Sequence, residues 1–153
     1  MGQQQLLLVI LVTVIVGIAT VVAINTFSSA STQANRDAVT NDVVAIAAAA
    51  QAYYIKPLML RGGDKDFSEI KFGLFSFNGL LNEDSTEAIN INGTFVISDE
   101  AEDEFTVTAY PSSCEGYTGS MPATVDDEPE FGECDEEGDA IVATVLVDNI
   151  EWN

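Results

Sequence analysis

Hydrophobic positions along the chain follow three successive patterns. From Leu6 to Ile24 the residues read LLLVILVTVIVGIATVVAI, an aliphatic run broken only by Thr13, Gly17 and Thr20. Nineteen residues at 1.5 Å each make a helix of about 28 Å, close to the ~30 Å of a hydrocarbon core. From Asn25 to Tyr54 the apolar residues thin to Val39, Val43, Ile46, Ala50 and Tyr53, spaced four, three, four and three apart. That spacing is one face of an amphipathic helix, with Arg36, Asp37, Thr40, Asn41 and Asp42 on the other. Ala47 to Ala50 is a strong helix former. The first proline is Pro57, and a helix ends before the residue that precedes a proline. One helix is therefore expected over about residues 3–55.

Beyond Pro57 the pattern shortens. Gly62-Gly63-Asp64 and Asn78-Gly79 mark loops and turns. Phe67, Phe72, Phe75 and Phe77 fall within eleven residues and are expected to seat a head on the helix. Strands are predicted at Ile91–Ser98, begun or bent by Asn92-Gly93, at Glu104–Tyr110 and at Ala140–Asp148. The predicted fold is α+β: a long N-terminal helix, hydrophobic and then amphipathic, packed on a small antiparallel sheet. The expected division is a helix over 1–56, with 6–24 for a membrane or filament core, and a β-rich head over 57–153.

Charge divides the chain the same way. There are 5 Lys and Arg against 25 Asp and Glu, with no histidine, for a net charge of −20. Residues 1–35 carry no charged side chain. All five basic residues lie between Arg36 and Lys71, so residues 72–153 hold 20 acidic groups and no basic one. Histidine-dependent catalysis and metal binding are excluded. Nucleic-acid binding through the head is not expected, because phosphates need Lys or Arg. No nucleophile motif or Gly-rich phosphate loop occurs, and acid pairs are too many to single one out. The chain is not expected to be an enzyme or to need a cofactor.

Two features of the head bear on chemistry. Cys114 and Cys134 are the only cysteines. Without histidine or further thiols a metal site is short of ligands, and outside the cytoplasm a disulfide is the simplest outcome; two free buried thiols are the alternative. Nine of the fourteen residues from Asp126 to Asp139 are acidic, as are five of the six from Asp99 to Glu104. Asp126, Asp127, Glu128, Asp135 and Asp139 are the candidate ligands should the run hold Ca2+, although the EF-hand spacing is absent and a solvated acidic surface is the commoner result. Asn92-Gly93-Thr94 is a glycosylation sequon, a short motif with many chance matches.

The flank Met1-Gly2-Gln3-Gln4-Gln5 has no Lys or Arg, unlike a secretory signal peptide, so the apolar run is expected to be retained. The stretch MGQQQLLLVILVTVIVGIATVVAINTF, running without proline into an amphipathic half and a β-rich head, resembles the type IV pilin superfamily. It is similar in particular to bacterial pilin-like proteins that open with this glutamine triplet. The segment Gln51-Ala52-Tyr53-Tyr54-Ile55-Lys56-Pro57, followed by Arg61-Gly62-Gly63 and Asp66-Phe67, is also similar to theirs. The resemblance covers about residues 1–75.

The resemblance implies a subunit that polymerises with copies of itself through its hydrophobic helix into an extracellular filament. It also implies passage through the inner membrane as a single-pass protein and handling by the inner-membrane pilus assembly machinery. A C-terminal disulfide loop, Cys114–Cys134, fits the same picture. The assembly residues would be Gln3, Gln4, Gln5, Leu6, Leu7, Leu8, Ile10, Leu11, Val14, Ile15, Gly17, Ile18, Val21 and Val22. Most pilins carry a glutamate five residues into the mature chain. That place holds Gln5 if Met1 is retained, or Leu7 if cleavage follows Gly2. Glutamine is neutral and both donates and accepts hydrogen bonds, so the triplet is expected to bond between subunits and cap free helix N–H groups; the alternative is a polar collar at the membrane surface. Type IV pilins usually have a proline near the twenty-second position; Val21 and Val22 stand here, and residues 8–24 are expected to stay helical even in a polymer. The alternatives are a minor pilin or pseudopilin of a secretion system, or a membrane-anchored acidic domain that binds cations.

Overall fold

A computed structural model describes residues 2–122, 128–135 and 137–153. The order of elements is a helix α1 (Gly2–Ile55) followed by strands β1 (Leu80–Leu81), β2 (Glu87–Ile89), β3 (Gly93–Ser98), β4 (Glu104–Pro111), β5 (Ile141–Leu146) and β6 (Ile150–Trp152). The strands form one antiparallel sheet in chain order, β1 to β6. The fold is α+β, a long N-terminal helix with an antiparallel sheet, and its architecture is pilin-like. The chain forms two compact units, Met1–Ala34 and Asn35–Asn153. The first is helix alone. The second contains the remainder of α1 and the sheet.

In the second unit α1 buries Val39, Val43, Ile46, Ala47, Ala50 and Tyr54. Tyr54 completes the buried stripe and Tyr53 is half-buried, the reverse of the sequence reading. Both lie on the same helical face, and the Tyr54 ring is chosen because it meets Phe67 at 4.7 Å, which in turn meets Phe105 at 5.1 Å. The sheet offers alternate residues to this stripe: Phe105, Val107 and Ala109 of β4 point inward, as do Phe95 and Ile97 of β3. Large side chains stand opposite small ones, Phe95 against Ala88 on one side and Ala109 on the other. With Ala47 and Ala50 on the helix, this pairing of sizes fills the space without crowding. Of the predicted aromatic cluster, Phe67 and Phe72 are fully buried, and Phe75 and Phe77 pack against the core part-buried.

The helix ends as its proline requires. The N–H groups of Gly63, Asp64 and Lys65 donate to the carbonyls of Tyr53, Lys56 and Tyr54 at 2.9, 3.0 and 2.8 Å. Two of the carbonyls that a helix end leaves without partners, those of Tyr53 and Tyr54, are satisfied this way, together with the Lys56 carbonyl just beyond it. A side chain at Gly62 would collide with the Lys56 carbonyl, so the turn is closed to any larger residue. Pro57 is followed by a single 3-10 turn, Leu58–Leu60.

The three predicted strands are present: β4 runs one residue further than expected, to Pro111, while β3 and β5 are shorter at their ends. Ile91 and Asn92 lie outside β3, because the side chain of Asn90 accepts the N–H groups of Asn92 and Gly93 at 2.8 and 3.2 Å and makes a turn of them. β5 stops at Leu146, whose N–H donates to Asn149 across the turn into β6. Strands β1, β2 and β6 were not predicted.

Candidate functional site

The helical residues 2–34 form a surface rather than a site in the enzymatic sense. Every described residue of this unit is exposed, including Gln3, Gln4, Gln5 and all the apolar assembly candidates from Leu6 to Val22. The helix has an 18-residue window of mean hydropathy 3.1 and is long and apolar enough to cross a membrane. Its hydroxyls do not interrupt the apolar surface. Thr13 donates to the Ile10 carbonyl and Thr20 to the Val16 carbonyl, both at 2.8 Å, and Thr26 to Val22 at 2.9 Å. Each hydroxyl is turned back on its own helix. Gly17 has open space where a side chain would be. Residues 8–24 are helical throughout in the single chain. Such a surface, apolar on all sides, requires either lipid or other protein around it.

At the start of the second unit, α1 is tied to the head by a polar network. Asp42 accepts from the amides of Asn90 and Asn92 at 2.9 and 2.7 Å. Asn35 donates to the Asn92 carbonyl at 3.0 Å and accepts from the Ser113 N–H at 3.2 Å. Arg36 donates to the Asp139 carbonyl at 3.0 Å and lies 3.7 Å from its carboxylate. None of these pairings was read from the sequence, since the partners are 48 to 103 residues apart. The sequon is absorbed into the same network. The Asn92 amide nitrogen that a glycan would use is the donor to Asp42, and Thr94 is buried.

Cys114 and Cys134 are joined in a disulfide, with Cα atoms 5.8 Å apart. Beside it, the Thr94 hydroxyl bonds the Tyr117 hydroxyl at 2.8 Å and accepts the Gly132 N–H at 3.1 Å, so both arms of the loop rest on β3. Gly116, at φ 74°, takes a left-handed conformation, and the Asp135 carboxylate fills the place of its missing side chain. Replacing both cysteines by serine is expected to cost about 3 kcal/mol in the chain-entropy model. Hydrogen exchange should rise at Gly116–Ser120 and Glu130–Gly132 while the helix over 35–55 stays protected.

Of the candidate calcium ligands, Asp126 and Asp127 lie outside the described residues. Glu128 is exposed, Asp135 sits in the turn beside Gly116, and Asp139 is engaged with Arg36. Among the described residues no group of three or more Asp, Glu or Cys side chains is gathered to hold a metal ion. The described surface has a groove of about 530 Å³, lined by Asp42, Phe77, Leu80, Ile91 and Met121 among others.

Three tyrosines titrate above their ordinary value near 10. Burial is the first cause for each. Tyr53 is raised further by Glu69 and Asp66, and Tyr54 by Asp103, which also accepts its hydroxyl at 3.3 Å. For Tyr117 the bond to Thr94 offsets part of the rise. The folded head thus holds phenol protons that the unfolded chain releases. Stability from these groups is complete below about pH 10 and falls as pH rises from there through the higher folded values. Phenolate absorbance should accordingly rise later in the folded protein than in urea.

Compared with family models, curated proteins and solved structures, the chain matches nothing in any of the three. The functional reading therefore rests on the residues and their geometry.

Proposed function

We propose that this chain is the structural subunit of an extracellular type IV pilus-like filament, polymerising with copies of itself through α1. One observation carries the reading. A single helix is apolar and exposed on all sides over residues 6–24, and the same helix, from Asn35 onward, is built into the core of a disulfide-bonded acidic head. A lone anchor needs only the first of these properties. A continuous helix shared by membrane segment and head can carry the head with it when it leaves lipid for a bundle of identical helices. Before assembly the subunit crosses the inner membrane once and is handled by assembly machinery there. The head is not catalytic, and its acidic groups form the outer surface.

The second reading is a membrane-anchored acidic domain, favoured by the same apolar helix. Mechanical shearing of cells separates the two. A filament subunit is released into the sheared fraction as fibres that yield a helical reconstruction with residues 6–24 at the centre. An anchored domain stays in the membrane pellet as single chains.

Charge gives this polymer a dependence on its medium. The repulsion between heads is screened over about 10 Å at 0.1 M salt and 3 Å at 1 M, whereas apolar packing is short-ranged. Filaments are expected to shorten in low-salt buffer with chelator and to recover on adding NaCl. Recovery with low-millimolar Ca2+ alone would indicate bridging by Asp99–Glu104 or Asp126–Asp139.

A further inference from the structure

The bond between Cys114 and Cys134 is set among carboxylates. Both cysteines are half-buried, so the bond is neither sealed in the core nor fully open. Glu115 follows the first, and Glu133 and Asp135 stand on either side of the second, all three exposed. The fold brings two of these acids together. The Asp135 N–H donates to the Glu115 carbonyl at 2.9 Å, so the residues that follow the two cysteines run side by side. The Asp135 carboxylate is held against Gly116. Residues 72–153 contain no Lys or Arg to offset these charges. Arg36, the one basic residue on the head-packed part of α1, is engaged with Asp139.

A disulfide is opened by a thiolate, not by a neutral thiol. The thiolate bonds to one sulfur as the S–S bond breaks, and the electron pair leaves on the other sulfur. A second thiolate then displaces the first reagent from the mixed disulfide. Two reagent thiolates are thereby oxidised to one disulfide, and two cysteine thiolates are released. In this head the incoming and the departing negative charge both arise beside Glu115, Glu133 and Asp135. Two like unit charges about 6 Å apart in water repel enough to slow an approach about threefold, and here three carboxylates act on one bond. We infer that the Cys114–Cys134 bond selects its reductant by charge, admitting thiols that carry a cationic group and turning away anionic ones. The loop that rests on β3 through Tyr117 and Gly132 thus stays closed in the presence of anionic thiols. The selection belongs to the single head and holds whether or not the chain polymerises.

Three small thiols test it: cysteamine, 2-mercaptoethanol and 3-mercaptopropionate, whose thiolates are net neutral, singly negative and doubly negative. The full-length chain is treated in non-ionic detergent, and freed cysteines are counted by alkylation and mass spectrometry. Rates are divided by those on a small uncharged disulfide, which removes differences in thiolate content and nucleophilicity. At about 10 mM ionic strength, where screening reaches about 30 Å, cysteamine should outpace 3-mercaptopropionate at least about tenfold, with 2-mercaptoethanol between them. At 1 M NaCl the three should agree within about twofold. Glu115→Gln, Glu133→Gln and Asp135→Asn together keep side-chain size and should close most of the low-salt gap. Should that variant fail to form the bond, the salt series on the native chain decides alone. Equal rates at low salt, an order of rates that survives 1 M NaCl, or a triple variant as selective as the native chain would each overturn the inference. So would a bond that none of the three thiols opens in the folded chain, because burial rather than charge would then guard it.

Discussion

Replacing Phe67 by alanine is expected to unfold the head at temperatures the native chain withstands. Phe67 is fully buried and sits between the Tyr54 ring on α1 and the Phe105 ring on β4. It is the side chain through which a loop joins helix to sheet. Its backbone N–H also donates to the Glu102 carbonyl at 3.1 Å, so the ring cannot move away without breaking the loop's attachment to the β3–β4 turn. Truncating a buried phenylalanine costs about 3–5 kcal/mol, part in lost transfer and part in the cavity left behind. For a unit of this size that lowers the melting temperature by more than about 10 °C. Thermal unfolding followed by circular dichroism checks it, with attention to the residual helical signal. The residues before Asn35 take no part in this core, so helicity there should outlast the sheet. A drop of under 1 kcal/mol would mean that the loop closes over the gap and that the ring is not the joint described above.

The second large effect is expected at the opposite end of the chain. Ile15→Lys places a charge in the middle of the apolar helix. In a membrane this costs about 2.5–3.5 kcal/mol on the insertion scale. In a bundle of identical helices every copy brings the same unpaired charge, and a buried charge without a partner costs several kcal/mol. Filament yield in the sheared fraction should therefore fall at least tenfold, with Ile15→Leu retaining native yield. The head should not notice, since its buried residues begin at Val39. An unchanged melting temperature of the sheet together with lost filaments separates assembly from folding. Filaments of normal abundance from Ile15→Lys would mean that residue 15 faces water, and the helix core proposed above would fall.

How far the sequence disclosed this structure depended on the range of the forces involved. The end of α1 was legible because Pro57 acts locally. β4 was legible because eight alternating residues are held half-buried by neighbours on both sides. β1, β2 and β6 were not, because two or three residues carry no period. They are strands only through their partners, as Leu80 is through Ile89 and Ile150 through Val145. The choice of Tyr54 over Tyr53 was equally hidden, since the helix permits both and only the position of Phe67 decides. On the functional side, the apolar helix was fully legible and the disulfide followed from there being two cysteines. The Asp42, Asn90 and Asn92 network was invisible because its partners meet only after the sheet has formed. At Asn92 the sequence shows the sequon but not the bond that its amide makes to Asp42 on the helix.

The order of the sheet also bears on how the chain reaches this state. Each strand pairs with the one made just before it, from β1 through β6. Such neighbour-to-neighbour pairing has low contact order, and it permits the sheet to zip up as the chain is synthesised. The helix is different: Val39 to Tyr54 are made first and must wait for Phe67, Phe95 and Phe105 to appear. Until β5 arrives, β4 presents an unpaired edge of alternating apolar residues, the kind of edge that joins with other chains. The interval between the synthesis of Pro111 and Ile141 is therefore the period in which a nascent subunit is most exposed to wrong partners. The run from Asp126 to Asp139, nine of whose fourteen residues are acidic, is made in that interval and adds like charges to a chain whose edge is still open.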